Sequence, residues 1–139
     1  MSKAETAEKL FESNNCAQSV LAAYAADYNL EKEKALQVAL GFGAGMGRLQ
    51  ETCGAVTGAF MVLGLAGELN NKDAIYAKVR AFAADFSSKE KSIKCRDLLG
   101  CDLLTEDGQK IFKDQNLKNK CTGYVRLCCE LLDKHLEKQ

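Results

Sequence analysis

Apolar residues recur at helical spacing along most of this chain, with polar residues between them. Ala7, Leu10 and Phe11 predict a short amphipathic helix over residues 3–12. Ala17, Val20, Leu21, Tyr24 and Tyr28 predict a second helix. Ala35, Leu36, Ala39 and Leu40 predict a third, running from Glu31 to about Leu40. Ile75, Tyr76, Val79, Phe82, Ala83 and Phe86 form an inward stripe over 72–86, and a brief helix is expected from Ile93 to Leu99. Another helix, with Ile111 and Phe112 inward, starts at Thr105. A long C-terminal helix carries Val125, Leu127, Leu131, Leu132 and Leu136. One stretch departs from this two-sided pattern. From Cys53 to Gly67 there is no charged residue, and almost every position is apolar or small. It is shorter than the roughly 20 apolar residues a membrane span needs, so it predicts a helix over 52–68 in the middle of a bundle. Gly54 and Gly58 share one face of that helix, as Ala55 and Ala59 do, which lets another backbone come close.

The polar breaks supply the punctuation. Asn15 caps the second helix, with Gln18 three residues later in a capping-box position, and Asn29-Leu30 turns the chain. Thr52 is the expected cap of the central helix, Asn71 of the 72–86 helix, Ser92 of the brief one and Asn119 of the last. Residues Ser87 to Lys91 are expected as a polar loop, and Gly100 ends the brief helix in the favoured post-helical position. Gly41-Phe-Gly-Ala-Gly-Met-Gly-Arg48 has glycine at every second position, too permissive for a regular helix. It is no phosphate loop, since no strand precedes it and no Gly-Lys-Ser/Thr follows. Two readings stay open: close packing of loop on helix, or a nest of backbone amides beside Cys53. On the second, Gly45 and Gly47, with Gly54, are the candidate backbone contacts for a bound cofactor.

Composition sharpens the class. The 139 residues contain no proline and no tryptophan, which fits one all-α domain over residues 1–139, a compact bundle of about six to eight helices. Nineteen basic and nineteen acidic residues cancel and are dispersed, leaving no footprint for nucleic acid or an anionic membrane. The N-terminal residues show no apolar signal region, so the expected location is cytoplasmic and no membrane insertion is expected. No Ser-His-Asp set exists. The single histidine, His135, reads as a solvated residue in a last helical turn.

Seven cysteines change the picture: 16, 53, 95, 101, 121, 128 and 129. In a chain without a secretion signal, that number points to metal, cluster or redox chemistry. No Cys-x-x-Cys occurs, which argues against a thioredoxin-type site. Cys16, Cys53, Cys95 and Cys121 each follow an expected N-cap by one to three residues. Unpaired amides and the helix dipole would favour a thiolate at such positions. If helices alternate up and down, the second, fourth, sixth and eighth begin at one end of the bundle, and those helices start with these cysteines. The expectation is one converged thiolate cluster. Cys128 and Cys129 read as buried core residues, and Cys101 could join the cluster or be buried.

At these residues the chain resembles the C_GCAxxG_C_C family, whose members are named for suspected redox activity. The matching pieces are Asn15-Cys16-Ala17-Gln18, Gly41 to Arg48, Cys53-Gly-Ala-Val-Thr-Gly58, Cys95-Arg-Asp-Leu-Leu-Gly100 and Cys121. The resemblance implies that Cys16, Cys53, Cys95 and Cys121 are the family's shared cysteines. It also implies a prokaryotic setting and an oxidoreductase or transporter as partner. Three functions follow for test. The four thiolates bind an iron–sulfur cluster, or another thiolate-ligated metal such as zinc, for electron transfer. Alternatively they form a metal-free dithiol/disulfide redox protein, or the chain is a helical interaction module with structural cysteines.

Overall fold

The computed structural model describes residues 1–137, Lys138 and Gln139 lying outside it. Among the described residues there are eight right-handed α-helices and no strands: α1 (Lys3–Leu10), α2 (Cys16–Ala25), α3 (Lys32–Ala39), α4 (Gly54–Ala66), α5 (Lys72–Glu90), α6 (Cys95–Leu99), α7 (Glu106–Asp114) and α8 (Lys118–Glu137). The protein is all-α, as its periodicities predict. The main core gathers Val20, Leu21 and Tyr24 of α2, Val56, Val62 and Leu63 of α4, Phe82 and Phe86 of α5, and Val125 and Leu132 of α8.

Helix α4 is central as far as Leu63, and only its last turn emerges. Gly54 through Ala59 are all buried, whereas Gly64 is exposed and Leu65 and Ala66 are partly covered. Its closest neighbour is α2. A Cβ on Gly58 would stand 2.8 Å from the carbonyl oxygen of Ala17, so the absence of a side chain brings the two backbones together. Because backbone rather than a mobile side chain lies there, Gly58→Ala is expected to cost about 1–3 kcal/mol. Chemical denaturation checks this: the midpoint should fall with little change in slope.

Several boundaries differ from the sequence expectation. Helix α5 runs on through Ser87 to Glu90 and stops at Lys91 in the left-handed conformation, so the expected polar loop is helical. Serine and lysine pattern there reflects an exposed face, which hydropathy alone cannot tell from a loop. Helix α8 starts at Lys118, so Asn119 is inside it and is not its cap. Tyr76, Leu40 and Ile111, expected inward, are exposed at 52%, 62% and 40%. These helices lie at the rim, where the core covers a narrower stripe than a 3.6-residue period allows. His135 is not solvated: its side chain retains 11% exposure, Nε2 lies 2.9 Å from Asp85 Oδ2, and its ring packs on Phe82.

Candidate functional site

The segment from Gly41 to Cys53 adopts neither a loop of random form nor a right-handed helix. Ala44, Gly45, Met46, Gly47 and Arg48 have φ of 55°, 67°, 71°, 59° and 69°, a left-handed helical turn closed by Gly47 N–H donating to Gly43 O at 2.9 Å. Left-handed backbone costs about 1–2 kcal/mol for each residue bearing a Cβ. Glycine relieves two of the five positions. The turn is held by Gln50 N–H and Glu51 N–H, which donate to the carbonyls of Ala44 and Gly45. A Cβ on Gly45 would meet Gln50 backbone at 2.6 Å, so the turn folds tightly onto the chain that follows it.

That following chain sets two cysteines. Thr52 does not cap α4. It forms an antiparallel bridge with Lys94, flanked by two 2.7 Å hydrogen bonds: Cys53 N–H donates to Ile93 O, and Cys95 N–H donates to Glu51 O. Cys53 itself becomes the N-cap of α4, and Cys95 is the first residue of α6. In a pleated pair, successive side chains alternate faces, so both cysteines lie on the face opposite Thr52 and Lys94. They are diagonal neighbours.

Cys16 is placed by the capping box at the start of α2. Asn15 Oδ1 accepts from Gln18 N–H, and Gln18 Oε1 accepts from Asn15 N–H, both at 2.9 Å. The remaining amide hydrogens tie this cap to α3, with Asn15 Nδ2 donating to Leu40 O and Gln18 Nε2 to Leu36 O. A Cβ on Gly54 would stand 2.4 Å from Cys16 Sγ. The sulfur therefore rests on the glycine beside Cys53. Cys121 is the fourth residue of α8, and its N–H donates to Leu117 O.

Cys16, Cys53, Cys95 and Cys121 line a single cavity of about 410 Å³, together with Gly54, Ala44, Leu98, Leu99, Tyr124 and, among the cations, Arg48 and Lys118. Four different helix starts supply the four thiols. Gly45 and Gly47 are not among the lining residues; they shape the turn, and it is Ala44 and Arg48 that face the cavity. Among the described residues, no three His, Cys, Asp or Glu side chains stand close enough to share one metal ion.

The thiols are not acidic, which corrects the expectation from helix starts. Burial pushes Cys16 and Cys53 up despite amide hydrogen bonds that oppose it, from Ala44, Ala17 and Ala55 to Cys16 and from Val56 and Ala55 to Cys53. Burial likewise lifts Cys95 to about 11, against the pull of Gln50, and Cys121 to about 12. Cys16 adds to the rise at Cys53, Cys95 and Cys121, since a second negative charge nearby is unfavourable. Desolvation wins because the cavity walls are largely carbon, and a helix start offers only partial charges.

Sequence reasoning missed Gln50. It is buried, with 4% exposure, and sits at φ 57°. Its Oε1 accepts from Leu103 N–H at 2.8 Å, its Nε2 donates to Cys101 O at 2.8 Å, and the same Nε2 lies 3.9 Å from Cys95 Sγ. No local pattern marks it, because all the partners of its side chain are more than forty residues away. Cys128 and Cys129 are fully buried in the main core, where a small apolar residue belongs.

Residues 14–135 match the family model described as "Putative redox-active protein (C_GCAxxG_C_C)". The chain belongs to this family. The match begins just before the Asn15 cap and ends at His135, so it encloses all four helix starts and the left-handed turn. No curated protein and no solved structure matches the chain. No described helix is long and apolar enough to cross a membrane.

Proposed function

We propose that this C_GCAxxG_C_C protein is an electron-transfer protein whose Cys16, Cys53, Cys95 and Cys121 hold an iron–sulfur cluster. The observation that supports this reading is that the four thiols line one largely apolar cavity, while among the described residues no three of them stand close enough to share a single metal ion. A tetrahedral zinc ion, with Zn–S bonds near 2.3 Å, needs its sulfurs about 3.8 Å apart. A [4Fe–4S] cluster would space its four thiolates further, because each binds a different iron. Diagonal neighbours across an antiparallel bridge are about 7–8 Å apart, at or beyond the ~7 Å reach of a disulfide. The Cys53 and Cys95 placement therefore favours ligation over mutual pairing. The donor set is soft, and no carboxylate lines the cavity to compete for a harder ion.

A bound cluster would supply one-electron transfer. The chain's own groups do the rest. Backbone N–H groups of Ala44, Ala17 and Ala55 stand ready to donate to Cys16 Sγ, and those of Val56 and Ala55 to Cys53, which stabilises charge on the sulfurs. Arg48 and Lys118 place two positive charges at the cavity wall. Leu98, Leu99, Phe112 and Tyr124 make much of the cavity wall apolar. Each thiol must surrender its proton on ligation, and burial opposes that loss in the free protein.

The test is anaerobic reconstitution with ferrous iron and sulfide, followed by iron and acid-labile sulfide analysis and electron paramagnetic resonance of the reduced sample. Near-equal iron and sulfide, with absorption near 400 nm, is the expected result. Uptake should accelerate as pH rises from about 7 to 9, since four raised thiols must ionise. Stoichiometric zinc binding with no sulfide retention would overturn the cluster.

A further inference from the structure

A fifth thiol belongs to the same neighbourhood. Cys95, Cys101 and Cys121 pack in one small apolar nest with Leu99, Leu103 and Leu117, separate from the main core. Cys101 is partly exposed and opens outward into a surface groove between Arg48, Arg96, Leu49 and Leu104. Arg48 also lines the four-cysteine cavity, so groove and cavity share that residue. Helix α6 is only five residues long, and Gly100, left-handed at φ 69°, reverses the chain after it. Cys101 packs against the same apolar cluster as Cys95. One amide group spans both: Gln50 Nε2 donates to Cys101 O at 2.8 Å and lies 3.9 Å from Cys95 Sγ.

We propose that Cys101 is the entry thiol for thiol–disulfide exchange and that it pairs with Cys95. The oxidant is a disulfide from outside the protein, either a small one or one on a partner. Cys101 gives its proton to solvent and attacks one sulfur of that disulfide. The external S–S bond breaks, a mixed disulfide forms on Cys101, and the departing thiolate takes up a proton. Cys95 then loses its proton and attacks Cys101 Sγ, forming a Cys95–Cys101 disulfide and releasing the second external thiol. Two protein thiols are oxidised and one external disulfide is reduced to two thiols. Groove exposure explains why Cys101 goes first: Cys95 is only 6% exposed and faces the cavity. Paired in this way, Cys95 is withdrawn from the other three cysteines.

The consequence for cluster loading rests on the proposed function; the exchange step does not. Glutathione disulfide is the probe, added to the metal-free, fully reduced full chain, with acid quenching, alkylation and peptide mass mapping over time. Glutathione should appear first on Cys101 and then give way to a Cys95–Cys101 disulfide. In C95S the adduct on Cys101 should persist, and in C101S oxidation of Cys95 should slow at least tenfold. C95A, checked by circular dichroism, serves if C95S folds poorly. A first adduct on Cys16 or Cys121, a Cys101–Cys121 product, or an unchanged Cys95 rate in C101S overturns the proposal. In the loading arm, oxidised wild type should take up less than a fifth of the iron bound by reduced wild type, and C101S should be insensitive to the oxidant. If no sample takes up iron, the cluster reading fails while the mapping still decides the role of Cys101.

Discussion

Serine in place of Cys16, Cys53, Cys95 or Cys121, one at a time, is expected to lower bound iron and sulfide to under a tenth of the wild-type level. Serine in place of Cys129 should leave it near normal. The two classes are separated by position alone. The first four line the cavity, whereas Cys129 lies in the main core beside Cys128. On the proposed cluster reading, a lost thiolate would remove one of four bonds to the metal centre and leave a hydroxyl, a poorer match for a soft ion. Helicity should survive in all five, because each exchange removes little volume. Circular dichroism together with iron and sulfide analysis makes the distinction. Equal loading in all variants would leave the four cysteines with a packing role. Gly54→Ala belongs with the first class: its Cβ would press within 2.4 Å of Cys16 Sγ, displacing a ligand without removing it.

Alkali is expected to unfold the metal-free protein well before it titrates most lysines. An unfolded cysteine ionises near pH 8.5. In the fold, burial holds Cys95 up to about 11 and Cys121 and Cys129 up to about 12, and Cys16, Cys53 and Cys128 are raised as well. A group whose folded pKa is raised stabilises fully below the unfolded pKa. That stability is lost as pH climbs toward the folded value. The sensitive window therefore opens near pH 8.5 and extends to about 11–12. Within it, each thiol that stays protonated in the fold subtracts about 1.4 kcal/mol per pH unit. With six such thiols, denaturation midpoints should fall steeply between pH 8.5 and 10 under reducing conditions. Replacing Cys128 by alanine should flatten the slope by one thiol's share, even though the cavity it leaves lowers stability at neutral pH. A midpoint constant from pH 8 to 10 would contradict these buried, neutral thiols.

The two expectations meet at assembly. The burial that stabilises the thiol form is also what the proposed cluster would have to overcome, so its loading would cost four protons. The amides already aimed at Cys16 and Cys53 offset part of that cost once the sulfurs are charged. Hence the free and ligated proteins should respond to pH in opposite ways: alkali destabilises the first and promotes formation of the second.

Much of this was legible before any coordinates. Periodicity alone carries the helices, since a 3.6-residue apolar stripe has few other uses. The Asn15–Gln18 box, Thr105 as a cap and Gly100 after α6 appear where their local chemistry demands. The even-numbered helices are the ones that carry a cysteine at the N-cap or within the first four residues, and the four thiols line one cavity. Local signals failed wherever a distant partner decided the outcome. Thr52 looks like a cap and is instead paired with Lys94, forty-two residues on. Asn119 looks like a cap and lies inside α8. Gln50 carries no signal because the partners of its side chain all come from beyond α5.

The amino-acid sequence by itself determined the helical class, the apolar helix α4 and the set of cysteines that stand at helix starts, because each follows from contacts within a few residues. Only the tertiary structure decided the left-handed turn at Ala44–Arg48, the bridge that turns Cys53 and Cys95 to one face, and the protonation of the thiols. Desolvation is a sum over everything packed around a sulfur, and no window of neighbouring residues contains that sum.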